Sequence, residues 1–262
     1  MKRIICLCFM LIFMTLLAGC SRLIEEGNIN DSPGDEDTGS YVFVAQVIDS
    51  SNRLLVAPDK DSNEIKSADK IAVGLTDGLI LGLNGESLSK EELKAGDLVK
   101  ITYDGIIRES YPAQITASLI EITGRNILID GYIALIDDIY NEDTGLNGDI
   151  TMIALDTSEW TDLTDIDKEI IFQSLKALYE LDIIEGTFEE LSDQGLIDRD
   201  KLYFPDGILI SIKNINYNEK KKTINCSIEK WRSGLGAIGS DDVKAEYKDG
   251  QWLITKSAMW IS

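Results

Sequence analysis

The 262-residue chain contains no histidine. That absence excludes Ser-His and Cys-His nucleophilic catalysis and any zinc or copper site with an imidazole ligand. Basic residues are scarce: 25 Lys and Arg stand against 46 Asp and Glu, for a formal net charge of −21 and a pI near 4.3. A surface of that sign repels phosphates, so no nucleic-acid partner is expected. Cysteine is scarce too, with four in all. The hydrophobic share, 44%, is ordinary for a globular protein and argues against wholesale disorder. The length suits one or two domains.

The first residues carry the clearest pattern. Met1-Lys2-Arg3 places two positive charges before Ile4 to Ala18, an apolar run broken only by Thr15. As a helix that run spans about 22 Å, short of a hydrocarbon core of about 30 Å, so residues 1–19 read as a signal peptide and not as a permanent span. Leu17-Ala18-Gly19-Cys20 resembles the lipobox of bacterial lipoproteins. The resemblance implies cleavage between Gly19 and Cys20 and a diacylglycerol on the Cys20 thiol. The mature protein is then expected on the outer, extracytoplasmic face of the cell membrane, where two acyl chains anchor stably. Cys6 and Cys8 leave with the leader and Cys20 becomes the anchor, so Cys226 stands alone and no intramolecular disulfide is possible. Ile224, Cys226 and Ile228 share one strand face, which predicts a small buried hydrophobe there.

Residues 20–40 read as the lipidated cysteine and a flexible acidic tether, with six acidic residues, one basic residue and no apolar period. Residues 41–123 follow as a set of short β-rich runs: Tyr41–Ile48, Arg53–Val56, Lys70–Leu75, Leu79–Leu83, Leu98–Tyr103 and Gln114–Ile122. Ser89-Lys-Glu-Glu92 is a capping box opening a short helical turn. Short strands at this spacing suggest a small barrel. The stretches Glu92–Thr102, Asp104-Gly105 and Glu109-Ser-Tyr-Pro-Ala-Gln114 resemble the OB-like domain of uncharacterised Gram-positive lipoproteins of the YobA type. The resemblance implies a five-stranded barrel and carries no activity.

Residues 124–262 read as an α+β domain with an antiparallel sheet. Tyr132, Ile133, Ile136, Ile139 and Tyr140 follow the helical period, although Ile127 to Ile136 also passes as a strand. A strand is expected at Asp149–Leu155, a helix capped by Thr164 and Asp167, and a second capping box at Thr187–Glu190 with Gly195 after it. Four strands then follow: Gly207–Lys213, Thr223–Trp231, Val243–Lys248 and Gln251–Ser257. The last two are joined by Asp249-Gly250, a type I′ hairpin signal.

Candidate chemical motifs are weak. Gly234-Leu-Gly-Ala-Ile-Gly239 has dinucleotide-fingerprint letters, but a strand and not a helix follows. Ser87-Leu-Ser-Lys90 matches S-x-x-K without the partner motifs of penicillin-interacting enzymes. Asp138, Asn141, Asp143 and Asp149 lie in an oxygen-rich stretch that makes them weak calcium candidates, although the EF-hand spacing fails. The expectation is therefore a membrane-anchored lipoprotein without enzymatic activity, cofactor or resident metal, acting as a binding or interaction module on an envelope protein or polymer. The alternatives are a carboxylate-dependent hydrolase of cell-wall polymers, with Trp160, Trp231, Trp252 and Trp260 lining its groove, and a calcium-binding structural protein.

Overall fold

The computed structural model describes residues 40–262. The signal peptide, Gly19, Cys20 and the acidic stretch up to Gly39 lie outside the described residues. The described residues all fall within one compact unit, and none of their helices is long and apolar enough to cross a membrane.

Strands of period two build the first half. They are β1 (Tyr41–Asp49), β2 (Leu54–Pro58), β3 (Ile71–Leu81), β4 (Ser87–Leu88), β5 (Asp97–Tyr103) and β6 (Ala113–Arg125). In β5 the buried residues Asp97, Val99, Ile101 and Tyr103 alternate with half-exposed Leu98, Lys100 and Thr102. Pairing runs β1-β2-β3-β6-β5 and back to β1, which closes a five-stranded barrel. Within it only β3 and β6 run parallel, the connectivity of an OB-like barrel. Phe43, Val47, Val56, Ile71, Ile101 and Ile120 fill the interior. The runs Lys70–Leu75 and Leu79–Leu83 turn out to be one strand, β3, whose register against β6 shifts between Leu75 and Leu79. The Ser89 box forms, with the Glu92 carboxylate accepting from the Ser89 N–H at 2.8 Å and its hydroxyl at 3.1 Å.

The second half contains α1 (Ile127–Asn141), β7 (Met152–Asp156), α2 (Asp165–Tyr179), β8 (Asp182–Glu185), α3 (Phe188–Asp193), β9 (Gly207–Asn218), β10 (Thr223–Ser233), β11 (Gly236–Lys248) and β12 (Gln251–Ile261). The strands form one sheet in the order β12-β11-β10-β9-β7-β8. From β9 to β12 it is the expected antiparallel meander, while β7 runs parallel to both β8 and β9. The helical crossovers through α2 and α3 cause this, because each returns the chain to the same end of the sheet before the next strand starts. Helices α1 and α2 pack on one face against Ile153, Leu155, Ile208 and Ile210. On the opposite face Leu191 of α3 meets Ala154, Phe204 and Leu209. The ambiguous segment Ile127–Ile136 is helical. Leu128, Ile129, Tyr132, Leu135, Ile136 and Ile139 are buried on one face at helical spacing, with Asp130, Asp137 and Asn141 on the other. A Cβ on Gly131 would come within 2.9 Å of both Ile224 and Trp252, so glycine permits the close approach of α1 to the sheet.

The two halves meet without a linker: β6 ends at Arg125, and Asn126 alone precedes α1. The Arg125 guanidinium bonds Asp97 at 2.8 Å and both oxygens of Asp130 at 2.6 Å. Asn126 donates to Gln46 of β1 at 3.2 Å and to Asp167 of α2 at 2.9 Å, and Gln46 donates to the same Asp167 oxygen at 2.8 Å. Lys70, just before β3, pairs with Glu169 of α2 at 2.6 Å. Ile48 and Ala57 belong to the core of the second half, and Leu55 packs against it. OB-fold barrels commonly bind oligomers across strands 2 and 3. Here the outward face of β2 is occupied by the protein itself.

Candidate functional site

With that face covered, the end of the barrel where β1 begins becomes the notable surface. A groove of about 470 Å³ opens there between the start of β1 and the β2–β3 connection. One wall is the start of β1, where Tyr41, Val42 and Val44 are all exposed. Tyr41 is 56% exposed, and its ring lies over Gly105. Glycine is required at that position twice over: its φ is +83°, and a Cβ would sit 2.4 Å from the Tyr41 ring. Behind Tyr41 stands Tyr103, its register partner on β5, with ring centroids 6.0 Å apart; Phe43 meets Tyr103 edge-on at 5.6 Å.

The other wall is acidic. Asp59, Asp61 and Glu64 line the groove together with Ser62 and Asn63, and no lysine or arginine does. Asp59 folds the loop, accepting the Asp61 N–H on its side chain and the Ser62 N–H on its carbonyl, both at 2.9 Å. This turn delivers Glu64 into a short 3-10 turn, Glu64–Lys66, where it is only 8% exposed. Its Oε1 accepts the Tyr103 hydroxyl at 2.9 Å. Burial and that bond to Glu64 push the Tyr103 phenol up to about 12. The Ser62 hydroxyl oxygen is buried without a hydrogen-bond partner.

A second crevice, of about 380 Å³, lies where β7 and β8 end and their connections leave on opposite faces of the sheet. There the polar groups satisfy one another. Thr157 donates to Glu185, Ser158 to Asp156 at 2.5 Å, and Thr187 to Glu190 at 3.0 Å. Burial pushes Asp156 up, but the Ser158 hydrogen bonds and the Lys213 ammonium at 3.2 Å outweigh it and hold the carboxyl below its usual range. The barrel-end groove differs in having one buried polar atom, the Ser62 hydroxyl oxygen, without a partner.

Of the residues singled out from sequence, Gly19 and Cys20 lie outside the described residues. The four calcium candidates do not converge. Asp138 pairs with Lys256 at 2.7 Å, and Asn141 caps back onto Asp137. Asp143 and Asp149 both hold positive φ in turns. The carbonyls of this loop are instead turned onto Lys230 of β10, which is fully buried. Four oxygens surround its ammonium and share its three N–H donors: the carbonyls of Tyr140 (2.9 Å), Glu142 and Asp143 (3.2 Å) and Asn147 Oδ1 (3.1 Å). These include carbonyls at the C-terminus of α1, which a cation suits. Among the described residues no group of three acidic or cysteine side chains is placed to hold a metal.

The tryptophans are dispersed. Trp160 packs in the core on Tyr132, Trp231 meets Phe188 of α3, Trp252 donates to the Ile127 carbonyl, and Trp260 bonds Asp241 from β12. Gly236 to Gly239 lie within β11, and Ser87 and Leu88 form β4, so neither motif sits in its functional context. Cys226 is buried as expected, and burial pushes its thiol up to about 12. The residues of the groove escaped the sequence reading. The available signal was the oxygen-dense connection Asp59-Lys-Asp-Ser-Asn-Glu64 between two strands.

Residues 43–123 match a family described as a protein of unknown function, DUF3221. The match begins in β1 and ends in β6, so it covers the barrel and both walls of the groove except Tyr41 and Val42. No curated protein matches the sequence.

Proposed function

We propose that the protein is a lipoprotein of the YobA type, anchored on the outer face of the cell membrane by a diacylglycerol on Cys20, and that it works as a non-enzymatic binding module at the envelope. The charged start, apolar run and Leu17-Ala18-Gly19-Cys20 support the anchor. The binding half of the reading rests on one observation, the barrel-end groove, in which exposed Tyr41, Val42 and Val44 face buried Glu64. Concave sites that combine an apolar wall with a few placed polar groups are the usual form of a ligand pocket. The dispersed tryptophans favour this reading over a wall-polymer hydrolase, and the Lys230 ammonium among the loop carbonyls favours it over a calcium-dependent structural role. Fractionation of cells carrying wild-type or Cys20→Ala protein tests the anchor. The wild type is expected in the membrane fraction with label from a fatty acid, and the variant unlabelled. A processed Cys20→Ala protein that stays membrane-bound overturns the assignment.

A further inference from the structure

We propose that the barrel-end groove binds a primary ammonium group carried on an apolar stem, with Glu64 and Ser62 receiving the ammonium and Tyr41 and Val42 receiving the stem. The inference rests on the binding reading above and names the ligand chemistry of that site.

Two independent features of the groove point to a cation. The first is Glu64, 8% exposed, which has a single hydrogen bond, from the Tyr103 hydroxyl. Among the described residues no lysine or arginine pairs with it. A largely buried carboxylate with no counter-charge of its own is suited to receive one. The second is the Ser62 hydroxyl, buried on the same wall with no partner, in a class of atom that is nearly always satisfied. Asp59 and Asp61 on that wall strengthen the negative field, and no basic side chain offsets it within the groove.

The opposite wall decides which cation. Tyr41, Val42 and Val44 offer apolar surface and an aromatic face. A divalent metal wants six or more oxygens, and no metal-holding group of acids exists among the described residues. An alkyl chain on that wall with its charged end at Glu64 uses both sides of the groove, and Tyr41 adds a cation–π contribution. Acceptors at Glu64 and Ser62 call for N–H donors, which a primary ammonium has and a quaternary one lacks.

Titration calorimetry of the full-length protein in a nonionic detergent tests this with 1,5-diaminopentane, its neutral isostere 1,5-pentanediol, tetramethylammonium and calcium chloride. The diamine is expected to bind at submillimolar concentration and the other three at least tenfold more weakly. Nα-acetyl-lysine amide separates the possible sources. Binding as tight as the diamine's marks a lysine side chain, and much weaker binding marks a free polyamine; both support the ammonium site. Glu64→Gln is expected to weaken the diamine at least tenfold, and Ser62→Ala severalfold. Should Glu64→Gln fail to fold, Tyr41→Ala, at an exposed position, carries the test with a severalfold loss at unchanged melting temperature. No binding of either amine at 10 mM, equal binding of the diol, or binding unaffected by all three substitutions overturns the proposal. Because the Cys20→Ala fractionation does not involve the groove, it separates a failed ligand assignment from a failed anchor.

Discussion

Replacing Lys230 with methionine isolates an internal charge that the fold has placed where water cannot reach it. The methionine keeps most of the stem's volume and removes the ammonium, so the carbonyls of Tyr140, Glu142 and Asp143 and the Asn147 oxygen lose their common donor. Hydrogen bonds to a charged group contribute about 1.5–3 kcal/mol each, and an ammonium has three N–H donors to give, so three bonds at about 2–2.7 kcal/mol amount to about 6–8 kcal/mol. Against this, burial pulls the Lys230 ammonium from 10.5 down to about 8, with Asp143 and Glu142 opposing the shift. At 1.36 kcal/mol per unit, deleting the charge returns about 3 kcal/mol. The net expectation is a loss of about 3–5 kcal/mol, or a melting temperature lower by about 6–20 °C for a body of this size.

Urea unfolding followed by tryptophan fluorescence at pH 7 measures that loss directly, with Trp160 buried on Tyr132 as the reporter. The pH dependence sharpens it. With the folded pKa below the unfolded one, the unfolded chain binds the extra proton between about pH 8 and 10.5, and the folded state gains stability as pH rises through that window. The gap between wild type and Lys230→Met should therefore widen from pH 8 towards pH 10. A variant within 1 kcal/mol of wild type, or one more stable, refutes the reasoning, because the loop would then hold its carbonyls without a cation.

Two further expectations follow from other buried groups. Tyr103, Tyr132 and Tyr179 all have phenols pushed upward, chiefly by burial, Tyr103 to about 12. Their contribution is fully present below pH 10 and lost as pH climbs towards 12, so phenolate absorbance and unfolding should rise together above pH 10; a smooth titration near 10 with the fold intact would contradict this. Asp167→Ala removes the acceptor shared by Gln46, Asn126 and the Thr164 cap and should cost about 2–4 kcal/mol by thermal melting, while a loss under 0.5 kcal/mol would show that the seam between the halves is carried by apolar contacts alone.

What was legible in the sequence is what local chemistry decides. Thr164 with Asp167 and Thr187 with Glu190 cap their helices as spaced, and Asp249-Gly250 makes its turn with φ of 50° and 84°. The β9–β12 strands are each longer than expected, because a strand continues wherever a neighbour keeps pairing, past the end of its apolar run. Strand β8 was illegible for the opposite reason. It is four residues with acids at both ends, and it exists because a parallel edge beside β7 was open to it. Ile127–Ile136 was ambiguous because Asp130 is its only charged residue, and Ile127 and Ile133 extend the apolar run beyond the buried face.

The groove was illegible because its parts meet only through register. Tyr103 and Glu64 are 39 residues apart, and nothing local to either foretells their bond. Tyr41 meets Tyr103 because β1 pairs antiparallel to β5, and that pairing also fixes which side of β1 carries Val42 and Val44 outward. Once the barrel closes, the position of Glu64 ceases to be neutral. Glutamine would offer the Tyr103 hydroxyl an acceptor of the same shape without a charge, so the bond to Tyr103 does not require a carboxylate. The Tyr103 hydroxyl engages Oε1 alone, so the second carboxylate oxygen is left for a donor from outside, and the proposed ammonium supplies it.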